Sequence, residues 1–433
     1  MFERKGSHRN IDRQTGGWWR SLAALIIAAT ALCTMFVPVA SAQTAPKNGL
    51  YLYVCLPGNI GGDLTQGGSG LVVFNVDQGY KFVERIPLPE GPSNNGGDPP
   101  SCKGIDASVQ TGLIYPQITD RFLAVDLETS TIAWQQVYDG GCCDRGVVSP
   151  FGDTIWLAGV QVPEWYVVSA YNGALIHTIK EFPTRAHNTQ ISPRGDQVLF
   201  SPANNILYLY DTRTHEKIRE IGPFFNRNRP FVVDGQWTRV YANNNGFLGF
   251  TAADIATGKI LYRIDYGPQP CVTSSGAHGT CVHGLAMTHD ETAMWFPSAS
   301  ENAIIVYDMT GPTPVFKARL QDHGPSGWIS CSIDGKRMYP ASGTVYDTAT
   351  GQEITRLRDE NGQFVYSEKL MEVRFVNGQP VQLGDQWCNG QVGAGSFALS
   401  AKSPVFGRTA HGYSPPGYQI PACFVDGSCS PGK

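Results

Sequence analysis

Residues 187–221 read HNTQISPRGDQVLFSPANNILYLYDTRTHEKIREI. A polar start leads into an apolar run, a Ser-Pro-x-Gly-Asp turn, a second apolar run, and a third run closed by Tyr-Asp-Thr. Side chains of alternating character, rich in β-branched and aromatic residues, fit the two-residue repeat of a strand and not the 3.6-residue repeat of a helix. The unit recurs. Residues 144–159 (DRGVVSPFGDTIWLAG) with 166–179 (YVVSAYNGALIHTI), and 283–298 (HGLAMTHDETAMWFPS) with 304–310 (IIVYDMT), are further copies.

Taking the polar residue that starts each copy as a marker gives Lys103, Arg145, His187, Arg229, His283, Trp328 and Lys369, spaced by 42, 42, 42, 54, 45 and 41 residues. A second marker, after the third run of each copy, falls at Asn75, Asp126, Ser169, Asp211, Asp254, Asp308 and Asp347. Both series count seven, and both take their 54-residue step across the insertion PQPCVTSSGAHGTC at residues 268–281. A period of about 40–45 residues carrying four strands is the mark of a β-propeller blade. The expected fold is therefore all-β, a seven-bladed β-propeller. Its last leading strand (KLMEVRFV) has no third run after it and its first third-run marker has no leading strand before it, so the ring is expected to close through a mixed N-/C-terminal blade that joins 369–376 to 51–54 and 71–76.

The recurring S-P-x-G-D and Y-D-T-x-T-x-x turns resemble those of the YVTN/YncE-type, lactonase-like seven-bladed propellers of exported bacterial proteins, over roughly residues 49 to 380. The literal YVTN tetrapeptide is absent. The resemblance implies the fold, the blade count and export. It carries no catalytic set onto this chain, because lactonases, lyases, electron-transfer partners and binding proteins share these blades.

The ends and the composition agree with that outline. Residues 1–20 carry Arg4, Lys5, Arg9, Arg13 and Arg20, residues 21–39 are uncharged, and small residues precede Gln43, the pattern of a secretory signal peptide spanning 1–42. The propeller is expected over 43–392 and a Gly/Ser/Pro-rich tail over 393–433. Export to the periplasm or the extracellular medium follows, with no stable membrane insertion after cleavage. Removing 1–42 takes away five basic and two acidic side chains and moves the formal charge from -4 to -7. A nucleic-acid partner is excluded on that balance, since its footprint is a clustered positive excess.

Export allows thiols to pair. Ten of the 11 Cys remain after Cys33 is removed. Cys271 with Cys281 and Cys423 with Cys429 are the expected local bridges. Cys142 and Cys143 are expected to bridge to different partners, Cys102 among them, in preference to each other. Zinc thiolate sites lack their usual CxxC pairs.

In a propeller the starts of the innermost strands gather at one mouth of the central channel. The seven markers would thus become neighbours, with Asp144, Asn188 and Glu372 beside them. Basic groups gathered against an acidic chain form a field that attracts anions, so the expected partner is an anionic small molecule or carbohydrate such as a sugar acid. Arg145 and Arg229 are the candidate carboxylate stabilisers, each able to offer a two-pronged grip. His187 and His283 are the candidate bases of a uronate-type lyase or lactonase. Lys103, Asp144, Asn188, Trp328, Lys369 and Glu372 complete the candidate binding set. A non-catalytic scaffold for a protein partner is the remaining class. His187, His278, His283 and His323 are the imidazoles available to a metal, but no spacing among them fixes a site, so metal and cofactor stay unknown. A G-x-S-x-G elbow and a phosphate loop are both missing, and GGDLTQGGSG at 61–70 reads as a surface loop.

Overall fold

The computed structural model describes residues 46–57, 68–89, 102–139, 141–160, 162–267, 281–324 and 327–394, excluding the side chain of Arg229. The expected signal peptide, the Cys423 and Cys429 pair, Cys271, His278 and nearly all of the expected tail lie outside those residues. Among the described residues no helix is long and apolar enough to cross a membrane.

Seven antiparallel sheets form the seven blades of a propeller. The leading strands of blades 1 to 7 are Cys102–Ser108, Asp144–Val148, Ala186–Ile191, Asn228–Val233, Ala286–Met287, Ile329–Cys331 and Leu370–Val376. Each touches the next and the last touches the first, which closes the ring. Blade 7 is the mixed blade: Leu370–Val376 pairs with Gly49–Pro57, which pairs with Ser69–Asn75, which pairs with Lys81–Ile86.

The second marker owes its regularity to turn chemistry. Asp211 Oδ1 accepts from the Arg213 and Thr214 N–H groups, and Asp254, Asp308 and Asp347 accept both the N–H and the hydroxyl of the threonine two or three residues on. Asn75 and Ser169 stand in by accepting from the Gln78 and Tyr171 N–H groups. These short side-chain turns switch the chain from the third strand to the fourth. In the S-P-x-G-D turn, Ser149 donates to Asp153 and Ser192 to Asp196, each at 2.6 Å. Gly152 and Gly195 both take φ of +72° there, where a Cβ would be strained.

Strand alternation then builds the interfaces between blades. Along Gly49–Pro57, Tyr51, Tyr53 and Cys55 pack toward blade 1 with Ile105 and Ile114, whereas Leu52, Val54 and Leu56 pack toward blade 6 with Tyr339 and Val345. Both faces of an inner blade strand are therefore core, and only the fourth strands face water.

Buried hydrogen bonds lock neighbouring blades. Asp106 of blade 1 accepts from the Val148 N–H of blade 2 at 2.7 Å, and Gln190 of blade 3 donates to the Phe231 carbonyl of blade 4. Glu372 occupies the same register in blade 7: one oxygen accepts from the Ile333 N–H at 2.8 Å and the other from the Tyr339 hydroxyl. Placed with the mouth residues by its sequence neighbours, it is in fact an inter-blade tie.

Burial drives the Glu372 carboxyl up to about 7 against the opposing pull of Tyr339 and Ile333. The folded chain keeps this proton to higher pH than the unfolded chain does. Stability should thus fall as pH rises from the ordinary value of 4.5 to about 7 and stay level above it, a loss of about 3 kcal/mol. Glu372→Gln should remove that contribution, seen as a smaller fall in the urea midpoint between pH 5 and pH 7 than wild type shows.

The disulfides differ from expectation in part. Cys102 pairs with Cys55, tying blade 1 to blade 7, and Cys142 pairs with its neighbour Cys143, so the two adjacent cysteines do not seek different partners. The reason is topological: ring closure sets Cys102 within 6.0 Å (Cα to Cα) of Cys55, a distance suited to a bridge. Cys281 is disulfide-bonded. Cys331 pairs with Cys388.

Cys388 belongs to a feature that periodicity gave no hint of. After Leu370–Val376 the chain forms a fifth strand, Gln379–Leu383, on the inner side of blade 7 and then passes along the propeller axis. Its contacts visit blade after blade. The Gly384 N–H donates to the Glu372 carbonyl, Gln386 bonds the Ile105 N–H and the Gly146 carbonyl, and Trp328 Nε1 donates to the Gln386 carbonyl. The Met287 N–H donates to the Cys388 carbonyl, and Asn389 Oδ1 accepts from the Val233 N–H. Only an axial segment can reach blades 1, 2, 4, 5, 6 and 7 within six residues.

Candidate functional site

Five of the sequence markers and one of their neighbours converge at the mouth. Arg145, His187, His283, Trp328, Lys369 and Asp144 are all buried there. Arg145 Nη2 donates to Glu368 Oε2 at 2.8 Å while its guanidinium carbon lies over the Trp328 ring, 3.5 Å from the centroid. Lys369 Nζ donates to the same Glu368 oxygen at 2.8 Å. His283 Nδ1 sits 2.9 Å from the Gly327 carbonyl and 3.2 Å from Glu368 Oε1. Across the mouth, His187 Nδ1 is 2.9 Å from Asp144 Oδ2, whose other oxygen accepts from the Arg145 N–H at 2.8 Å.

The result is two imidazole–carboxylate pairs, His187 with Asp144 and His283 with Glu368, bridged by Arg145. Their ring centroids are 6.3 Å apart. A carboxylate against one ring nitrogen orients the imidazole and supports its protonated form, the arrangement used both by acid–base pairs and by ligand-gripping histidines.

The electrostatics are divided. Burial pushes the Asp144 carboxyl upward, but the charges of His187 and Arg145 outweigh it and hold the group well below the usual carboxylate range. Burial lowers Lys369 to about 7; Glu368 resists that fall while Arg145 and Lys103 add to it. The floor of the mouth therefore carries nearly balanced charge, so its residues alone make a weaker positive field than their types suggested.

Further positive charge nearby comes from Arg227, Arg185 and Lys103. Arg227, half-buried, feels both the repulsion of Arg185 and the attraction of Asp144, with burial the largest influence lowering its pKa. Its Nε is buried without a hydrogen-bond partner. Lys103 is half-buried and close enough to depress Lys369. Asn188 has no exposed surface and neither amide atom finds a partner. Buried polar atoms of this kind are rare and call for an explanation.

Trp328 is a support, 1% exposed, held by Gln386 below and covered by Arg145. The backbone of Arg229 lies in the Asn228–Val233 strand, and its side chain is outside the described residues. Sequence reasoning missed Glu368, Arg185 and Arg227. Glu368 could have been found: it precedes the Lys369 marker just as Asp144 precedes the Arg145 marker, so an acid ahead of a cation repeats in blades 2 and 7.

Away from the mouth, His323 pairs with Glu353 at 2.7 Å on the outer side of blade 6. Among the described residues, His289, Cys331 and Cys388 are the group of three ligand-type side chains within reach of one metal ion, but the two sulfurs are joined in a disulfide. Thiolates are what a metal requires.

Comparison with protein-family models and with curated proteins finds no match to this chain. The propeller fold itself fits either ligand binding or a scaffold role.

Proposed function

We propose that this is an exported, lactonase-like propeller that binds an anionic small molecule, of which a carboxylate-bearing sugar acid is the favoured class, at the channel mouth. The observation that carries the reading is a pair of buried polar groups without hydrogen-bond partners near the His187–Asp144 pair, Arg227 Nε and the Asn188 amide. A carboxylate would meet the Arg227 fork through two charge-assisted bonds and use the fixed amide for orientation. Titration calorimetry with a panel of uronic and aldonic acids tests it. Arg227→Gln should weaken the ligand that binds best by roughly tenfold to a hundredfold, with Asn188→Ala weakening it less. Unchanged affinity in both would overturn the reading.

A catalytic version, a uronate-type lyase or a lactonase, gains support from the paired imidazole–carboxylate units and from Lys369 at about 7. Arg145 would neutralise the substrate carboxylate, making the neighbouring C–H more acidic, and one imidazole would take the proton. His187→Ala and His283→Ala should each then lower kcat by about two to four orders of magnitude while the fold, followed by circular dichroism, stays intact. If both leave turnover of a hydrolysed or eliminated sugar acid unchanged, the catalytic version fails and binding alone remains.

A further inference from the structure

A second cationic feature lies on the outer side of blade 6, away from the mouth and independent of the function proposed for it. The Glu353–Arg356 strand and the segment after it surround a depression of about 400 Å³, lined by His323, Glu353, Thr355, Arg356, Arg358 and Phe364. The guanidinium carbons of Arg356 and Arg358 both lie 3.8 Å from the centroid of the same Phe364 ring. A backbone bridge between Arg358 and Phe364 fixes that arrangement.

Each guanidinium is anchored by a neutral acceptor. Arg356 Nε donates to the Ser342 carbonyl at 3.1 Å and Arg358 Nη1 to the Gly362 carbonyl at 2.9 Å. Neither forms an ion pair among the described residues, although four carboxylates are near. Glu353 is held by His323 at 2.7 Å. Asp322 is held by the Ser342 and Thr344 hydroxyls at 2.7 and 3.1 Å. Asp359 and Glu360 face Arg85 at 3.6 and 2.7 Å. Two like charges are thus kept together by stacking, with N–H donors directed to no carboxylate. Stacking also removes most of the rotamer freedom that an arginine would otherwise lose on gripping a ligand.

We propose that this depression is a second binding site, one that takes a small molecule through an oxyanion group held by the Arg356 and Arg358 forks at the edge of Phe364. Sulfate, phosphate and carboxylate groups share the required pairs of oxygens, and the experiment separates them. Sodium sulfate, phosphate and acetate are titrated into the full-length protein at ionic strength held constant with NaCl, following the arginine Nε–Hε resonances by NMR. At least one anion should give saturable shifts at Arg356 and Arg358, and the tightest of the three names the group. Arg358→Gln should weaken that anion roughly tenfold, Arg358→Lys by less, and Arg227→Gln at the mouth should change nothing here. Circular dichroism and melting of each variant confirm the fold. No saturable shift with any of the three anions, or affinity that survives Arg358→Gln, or affinity lost only with Arg227→Gln, would overturn the proposal. Loss of the mouth's affinity alone would leave it standing.

Discussion

Replacing Glu368 with alanine should cost the fold about 3–5 kcal/mol, the range expected when one member of a buried charge cluster is removed and its partners stay behind. Glu368 is 2% exposed and compensates Arg145, Lys369 and His283 together. Lys369, already at about 7, can shed its proton once the carboxylate is gone. Arg145 cannot, since guanidinium stays charged at any usable pH. The guanidinium over Trp328, left with only the more distant Asp144 carboxylate at 3.9 Å, is therefore the main source of the loss. Urea unfolding at pH 7 checks this, and Glu360→Ala provides the comparison. Glu360 also pairs with an arginine, Arg85, but on the surface, where such a pair is worth about 0–1 kcal/mol. If Glu368→Ala and Glu360→Ala shift the midpoint equally, the mouth cluster is not packed as described.

The second large effect concerns the axial segment. Cys331 and Cys388 are 57 residues apart in sequence, and closing a loop of that length restricts the unfolded chain by about 4 kcal/mol on the chain-entropy account. The double replacement Cys331→Ser with Cys388→Ser should lower stability by about that amount, read again from the urea midpoint. It should also loosen the segment, because its hydrogen bonds to the blades, those of Gln386 and Asn389 among them, then hold it without a covalent tie. Faster amide exchange at Gln386, Trp387 and Asn389 in the double variant, with the blade strands unchanged, is the expected local signature. A midpoint within about 1 kcal/mol of wild type would mean the polar contacts suffice.

These two effects sit at opposite ends of what could be read from the chain. The blades were legible because a propeller repeats its hydrogen-bonded turns: Asp211, Asp254, Asp308 and Asp347 do the same job at the same register. Convergence of Arg145, His187, His283 and Lys369 followed from that register without any knowledge of their contacts. Glu372 was misplaced because it lies three residues along the strand from Lys369. At about 3.3 Å per residue that is about 10 Å from the mouth, and an odd offset turns the side chain to the other face. Arg185 and Arg227 were missed because they precede their markers by two residues, in loops the repeat does not govern. The axial segment was invisible for a different reason. It has no strand alternation to detect, and its partners, most of them backbone groups, are scattered over six blades, so nothing in its own residues announces where it lies.

That segment has a kinetic consequence. Gln386 and Trp387 contact Gly146 and Trp328, so among the described residues chain crosses the axis beside the mouth cluster, and a ligand bound there as proposed would enter and leave on the same side. On the proposed reading, a ligand held beside His187 and His283 would have one way out, the one by which it entered. Two ligands cannot follow one another in single file, and any second molecule of the same kind competes outright with the first.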